Sequence, residues 1–148
     1  MPERETLERA KQDKREGKAP STQAGEFVRE EMDHIREGKH GARSTKQAIA
    51  IGLSKARRAG VDLPPPEKGQ ASTATRVQAE RDLEKGKGRS RRKPASKRSR
   101  ATTRALKREG HSAASKTALS RHARSVAAKR SAASRSRSAR KAAITGKK

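Results

Sequence analysis

Lysine and arginine side chains crowd the C-terminal part of the sequence. Residues 85–148 contain 23 of them and a single acid, Glu109, whereas residues 1–84 contain 17 against 15 acids. Guanidinium and ammonium groups bind phosphates, and a flexible run of them can follow a charged strand without fixed spacing. The sequence therefore predicts a basic arm, residues 85–148, that binds a polyanion through Arg89, Arg91, Arg92, Lys93, Lys97, Arg98, Arg100, Arg104, Lys107, Arg108, Lys116, Arg121, Arg124, Lys129, Arg130, Arg135, Arg137, Arg140 and Lys141.

The aromatic content indicates which polyanion is favoured. Phe27 is the sole aromatic residue, so no base could stack on an aromatic ring in the basic arm. Proteins that bind single strands stack bases on such rings, as do the sheet-based RNA readers. The prediction is therefore a largely sequence-nonspecific protein that neutralises the backbone of double-stranded DNA. Two alternatives stay open, namely an RNA- or ribosome-associated protein and an adaptor that binds a protein partner.

Little in the chain could support catalysis. There is no cysteine, no Gly-rich phosphate loop and no nucleophile motif, and no apolar pocket is expected around the acids of residues 26–37. His34 and His40 lie six residues apart across a predicted helix end, which is not a strong metal-ligand spacing, so they are predicted to be surface histidines. We expect no enzyme activity, cofactor, metal or small-molecule substrate.

The composition limits the fold to a small core. Only 28% of the residues are hydrophobic, and alanine supplies much of that fraction. Separate helices joined by mobile segments are expected under these conditions. The predicted fold class is mostly α, with a small helical hairpin module and a basic, partly disordered helical C-terminal arm.

The clearest helical pattern lies in residues 21–63. Ala24, Phe27, Val28, Met32 and Ile35 recur at helical spacing, and a second helix over 44–59 begins with a capping box at Ser44. Two such helices form a hairpin whose apolar face is predicted to bind either a second copy of the chain or another protein through Phe27, Val28, Met32, Ile35, Ile49 and Leu53. Val61 and Leu63 are expected to fold back onto the pair.

The remaining segments are predicted from composition and from the positions of glycine, proline and capping residues. Residues 1–20 should form a polar helix or arm, 64–71 a proline-rich linker, and 72–84 a short helix with Val77 and Leu83 as contacts. In the basic arm we predict helices over 99–109 and 112–130 and disorder beyond. The stretch from Arg36 to Ser44 is echoed from Arg108 to Ser115, either as a reused helix–Gly–helix unit or by chance.

One stretch resembles a known family. The segment HIREGK at 34–39 and the segment STKQAIAIGLSKA at 44–56 resemble a small bacterial family of unknown function, whose members share a KQAIAI-x-LS-x-A helix after a Gly/Lys-rich loop. The chain departs from that family in having Gly52 and a long basic extension. That extension is similar in composition to the tails of bacterial histone-H1-like proteins. The resemblance implies a bacterial source and no established activity.

The start of the chain gives an expectation about location. No apolar stretch follows Met1, so neither a signal peptide nor a transmembrane segment is predicted. Together with the basic arm, this favours a cytoplasmic, nucleoid-associated protein without a membrane partner.

Overall fold

A computed structural model of the chain describes residues 1–88, 93 and 95–146. Its helices are α1 (Arg4–Arg15), α2 (Pro20–Arg36), α3 (Thr45–Arg58), α4 (Thr73–Lys87), α5 (Ser96–Arg108), a 3₁₀ turn (Ser112–Ala114), α6 (Lys116–Ala128) and α7 (Ala132–Thr145). Within these residues the only β pairing is an isolated bridge between Lys68 and Ala71. The mostly α fold class is confirmed. No helix in the described ranges has the length and apolar character needed to span a bilayer.

Helices α2 and α3 form the predicted hairpin. The apolar stripe of α2 faces inward, and Phe27 and Ile35 are 1% and 0% exposed. Ser44 Oγ accepts the backbone N–H of Gln47 at 3.2 Å, which satisfies a free donor at the start of α3. Gly38, with φ of +75°, ends α2 in the left-handed conformation that favours glycine. The two elements therefore begin and end where local chemistry dictates.

Helix α1 packs against α2 rather than lying free in solvent. The sequence predicted a polar helix or arm here, because Leu7 and Ala10 are nearly its only apolar groups. In the structure Ala10 is buried beside Phe27, and Thr6 is only 1% exposed. Arg9 Nε also donates to Glu26 Oε2 on α2 at 2.6 Å. Few apolar contacts suffice because the flanking side chains are paired across the two helices.

The chain after α3 closes one end of the hairpin as predicted. Val61 is buried in the cluster around Phe27, and Leu63 packs against it. The Arg57 guanidinium holds this turn, donating from Nε to the Leu63 carbonyl and from Nη2 to the Pro64 carbonyl, each at 3.1 Å. Desolvation by burial lowers the pKa of Arg57. The proline-rich segment therefore leaves the core in a fixed direction.

Helix α4 packs on α3, and one of the two contacts that we predicted lies elsewhere. Val77 is 37% exposed, whereas Leu83 is half-buried beside the buried residues Ala79 and Asp82. Asp82 Oδ2 accepts the Ser54 hydroxyl of α3 at 2.6 Å. The prediction is therefore wrong for Val77, because a small residue and a buried polar contact form much of the inner face.

Part of the basic arm belongs to the core. Ala113 and Ala114 of the 3₁₀ turn are buried in one cluster with Met32, Ile35, Ala42 and Ala48. Gly41 N–H donates to the Leu106 carbonyl at 2.9 Å, and Ala42 N–H donates to the Gly110 carbonyl at 3.0 Å. The predicted boundary at residue 85 therefore does not separate a free arm from the hairpin. Composition missed this docking because alanine and backbone groups make it.

The end of the chain is helical where disorder was predicted. Helix α7 begins after Ser131, whose hydroxyl accepts the N–H of Ser134 at 3.1 Å. Alanine and arginine have high helix propensity, and a serine cap adds to it. Its described side chains lie almost entirely in solvent. This low-complexity segment therefore forms a regular helix whose described residues are not packed against the rest of the chain.

Candidate nucleic-acid interface

The predicted phosphate-binding side chains lie on the surface. Arg89, Arg91 and Arg92 fall outside the described residues. Each of the other sixteen is exposed, namely Lys93, Lys97, Arg98, Arg100, Arg104, Lys107, Arg108, Lys116, Arg121, Arg124, Lys129, Arg130, Arg135, Arg137, Arg140 and Lys141. Helices α5, α6 and α7 carry nearly all of them, so the positive charge is distributed along three helices.

Two halves of the chain treat their charges differently. In the first half, acids neutralise bases, as in the pairs Arg9–Glu26 at 2.6 Å and Lys18–Asp13 at 2.8 Å. In the part of the basic arm that the structure describes, Lys87 at the end of α4 pairs with Asp62 at 3.8 Å, and, leaving Lys141 aside, no other lysine or arginine pairs with a carboxylate. Uncompensated charges of one sign repel each other and attract a polyanion. The described part of the basic arm therefore presents a surface of largely uncompensated positive charge.

Helix α5 has the densest charge. It spans 13 residues, about 20 Å at 1.5 Å per residue, and carries six cations between Lys97 and Arg108. None of its residues is fully buried. Duplex DNA carries one phosphate charge per about 1.7 Å of axis, or roughly 12 along the same length. The helix could therefore neutralise about half of the charge beside it.

Helix α6 gathers its polar groups on one face. Lys116, Thr117, Ser120, Arg121 and Arg124 line an open cleft along the helix. Lys116, Ser120 and Arg124 are four residues apart, as are Thr117 and Arg121, so they form two neighbouring rows on one side of the helix. Hydroxyl groups that alternate with guanidinium groups form the donor set that phosphate oxygens accept from.

A second cleft joins the beginnings of α3 and α6. Its lining includes Arg43, Ser44, Ser115 and Arg121. Ser44 and Ser115 are the capping residues of the two helices, so two positive helix ends open toward the same cleft. Sequence analysis missed Arg43, because only the docking of the basic arm brings it beside Arg121.

Arg130 is partly committed to the chain itself. Its Nε and Nη2 lie 3.3 and 3.1 Å from the Ser134 hydroxyl, Nη2 also donates to the Ser134 carbonyl, and a further bond reaches Ser138. These bonds bridge the junction of α6 and α7. Arg130 is therefore a predicted phosphate ligand whose guanidinium also has a local structural role.

The six predicted partner-interface residues pack inside the chain. Phe27, Met32 and Ile35 are buried, and Val28, Ile49 and Leu53 are half-buried against the same two clusters. The elements that cover them are α1, the segment after α3, and the 3₁₀ turn. In this conformation the apolar face is covered by other parts of the chain and is not available as a contact surface. Homodimerisation stays a prediction, and this face does not support it.

The structure reveals a polar cluster, Glu30, Glu31, His34, His40 and Lys55, that sequence analysis missed. Glu31 is fully buried, and the side chains of His34 and His40 are only 14% and 15% exposed, so the prediction of surface histidines is wrong. Their rings meet edge to face at 6.1 Å. A signal existed in the sequence, since Glu31 sits on the buried stripe, four residues after Phe27 and four before Ile35.

Comparisons with known proteins add a partial match. No curated protein and no solved structure matches the chain. Residues 18–68, about a third of the chain, match the model of a family of unknown function (DUF6496). The matched segment holds α2, α3 and the polar cluster and leaves the basic arm outside, so similarity to this family of unknown function is limited to the hairpin and its flanks.

Proposed function

We propose that the protein binds double-stranded DNA with little sequence specificity and neutralises its phosphate backbone, in the manner of nucleoid-associated or histone-H1-like proteins. The observation that supports this is the surface of the basic arm, where the described lysines and arginines are exposed and, apart from Lys87 and Lys141, none pairs with a carboxylate. The bacterial source and nucleoid association are part of the same proposal and rest on the sequence resemblance. No catalytic step is proposed.

The mechanism is electrostatic. Lysines and arginines that reach phosphates release condensed counterions, and this release drives binding without reading the bases. Five of the six cations of α5, at 97, 100, 104, 107 and 108, share one face of the helix, whereas the cations of α7 are spread around it. The basic face of α5 suits contact with one line of phosphates, and α7 suits contact with phosphates of either strand or of two duplexes.

The hairpin has a supporting role in this proposal. Its acids are paired or buried, and it holds the start of α6 through the 3₁₀ turn and the Thr45 hydroxyl, which donates to the Ala113 carbonyl at 2.6 Å. That docking fixes the cleft lined by Arg43 and Arg121. A fixed attachment point for the basic arm reduces the conformational entropy that is lost when the arm binds DNA.

The test is a mobility-shift titration of the full chain with duplex DNA, structured RNA and heparin across salt concentrations. With roughly 6–10 phosphate contacts, affinity for duplex should fall by about 10³–10⁵-fold between about 50 and 200 mM salt. Failure of the full chain to retain duplex DNA in dilute buffer would refute the proposal. Preferential retention of structured RNA would instead support the RNA-associated alternative.

A matched pair of triple variants locates the contacts. Changing Lys116, Arg121 and Arg124 of α6 to glutamine should flatten the log–log salt slope by about 0.9 for each lost contact. The control changes Lys11, Lys14 and Arg15 of α1, which are also exposed on a helix, and should leave the slope unchanged. Equal losses in the two variants would show that net charge alone, rather than the surface of the basic arm, controls binding.

A further inference from the structure

Glu31 occupies a position that is costly for a carboxylate. Its side chain has no exposed surface, and Lys55 pairs with Oε1. The other oxygen, Oε2, is buried without a hydrogen bond. A buried ionised oxygen without a partner costs several kcal/mol as an order of magnitude, so native proteins rarely leave one in this state. Something absent from the protein chain is expected to satisfy it.

His40 turns a lone pair toward that oxygen. Its Nδ1 lies 3.0 Å from the Gly41 carbonyl, which can only accept, so Nδ1 bears the proton. In the neutral ring the lone pair is then on Nε2, which is 3.2 Å from Glu31 Oε2. Two lone pairs at this distance repel each other unless a proton or a cation lies between them.

His34 has the same orientation. Its Nε2 donates to Glu3 Oε1 at 2.9 Å, and the same oxygen accepts from Lys39 Nζ at 3.2 Å. The remaining nitrogen, Nδ1, faces Glu31 Oε1 at 4.0 Å. Both histidines thus donate their outer N–H to an oxygen and direct the inner nitrogen at Glu31. Metal-ligating histidines are oriented by this type of outer hydrogen bond.

The charges around the site leave room for a cation. Glu30 and Glu31 are both buried, and both share Lys55, whose Nζ is 3.8 Å from Glu30 Oε1. Two buried carboxylates with one ammonium group leave one negative charge uncompensated. Since Lys55 occupies only Oε1 of Glu31, its position does not block Oε2.

We propose that Glu31, His34 and His40 bind a divalent transition-metal ion of the zinc type. One ligand atom from each lies within 4.8 Å of the others. Zinc bonds of about 2.0–2.1 Å in a tetrahedron place ligand atoms roughly 3.3 Å apart, a spacing that His40 and Glu31 already match. Two imidazoles, one carboxylate and a water molecule complete four-coordination. Hard cations such as Mg²⁺ prefer oxygen ligands alone and are not expected here.

The site would join the loop that holds the basic arm to helix α2. His40 precedes Gly41 and Ala42, whose N–H groups bind the carbonyls of Leu106 and Gly110. A metal bridge from this loop to Glu31 and His34 of α2 would restrict the loop and favour docking. The ion is thus proposed as a structural clamp, separate from the DNA-binding surface.

The competing explanation is an ion pair. A doubly protonated His40 would donate from Nε2 to Glu31 Oε2 and satisfy the same oxygen without a metal. The two explanations differ in one measurable property, which is affinity for zinc by the histidines of the cluster.

The experiment uses the full chain without a histidine tag, stripped with a chelator and titrated with Zn²⁺ by calorimetry. We expect one equivalent to bind and to raise the Tm, with Mg²⁺ inert. Co²⁺ should give the visible absorption of a four-coordinate site. Glu31→Gln and His40→Ala should each lose more than the roughly 10–100-fold in affinity that removal of an outer partner costs. Glu3→Gln should lose that amount or less.

His122→Ala is the matched control, because it removes a histidine of α6 that lies outside the cluster. It should bind zinc as the unchanged chain does. Circular dichroism checks that every variant keeps its helices, and His34→Asn serves if Glu31→Gln does not fold. The proposal is overturned if zinc fails to bind, or if His122→Ala weakens binding as much as His40→Ala. Stability loss in Glu31→Gln without zinc affinity in the parent chain would establish the ion pair instead.

Discussion

Replacement of Gly41 by alanine tests whether the basic arm docks on the hairpin. A Cβ atom at this position would lie 2.1 Å from the Glu109 carbonyl oxygen and 2.6 Å from that of Gly110. Ordinary contact begins at 3.4 Å, so the facing backbone would have to move by more than about 1 Å, which a close-packed contact resists. The nearest atoms belong to the backbone, so no side-chain rotation relieves the clash.

The expected cost follows from what the displacement breaks. The bonds from Gly41 to Leu106 and from Ala42 to Gly110 contribute about 0.5–1.5 kcal/mol each. Re-exposure of buried apolar surface on Ala113 and Ala114 adds about 25 cal/mol per Å². We therefore expect Gly41→Ala to lower the free energy of unfolding by about 2–4 kcal/mol, in the upper part of the usual range for point mutations.

Urea unfolding measures the total, and amide hydrogen exchange locates it. The Ala42 amide and those of residues 112–119 should exchange faster in Gly41→Ala. Gly110→Ala is the matched control, because it is also a loop glycine but its Cβ would meet nothing within 4 Å. If the two variants prove equally stable, with the same exchange at Ala42, the docked position of the basic arm is wrong.

Two further results test the contacts of α3. Gly52→Ala is expected to destabilise by about 1–2 kcal/mol, because its Cβ would lie 2.7 Å from Val28 Cα and overpacking outweighs helix propensity. Gly25→Ala, with open space around it, should instead stabilise by about 1 kcal/mol, and urea unfolding that gave both the same sign would contradict the α2–α3 packing. Asp82→Ala should cost about 1–3 kcal/mol, since its buried carboxylate accepts the Ser54 hydroxyl at 2.6 Å. A thermal melt unchanged by Asp82→Ala would show that this carboxylate does not hold α4 on α3.

Local chemistry explains what the sequence predicted well. The α2 stripe, the Ser44 cap and the return of Val61 depend on residues within a few turns of one another. Such signals are present in any short window of sequence. The exposure of the cations in the basic arm could also be predicted, because so many like charges cannot be buried together.

Nonlocal chemistry explains what the sequence left out. Sequence analysis did not single out Glu31, because its partners His40 and Lys55 become neighbours only when the hairpin closes. The docking of Ala113 was missed because an alanine in a basic, low-complexity stretch looks like a spacer. The composition of a segment does not tell whether an alanine is a spacer or a core residue. That depends on which other element packs against it.

The contact between the hairpin and the 3₁₀ turn also affects the order in which the chain can fold during synthesis. Arg36 donates to the Ala114 carbonyl, which lies 78 residues later in the chain, and Thr45 donates to the Ala113 carbonyl, 68 residues later. At about 5–20 residues per second, that interval lasts roughly 4–16 s. Over this time Met32 and Ile35 lack the alanines that complete their cluster. On the nascent chain the apolar face of the hairpin is therefore exposed before the basic arm has been synthesised, and cotranslational chaperones would meet that face first.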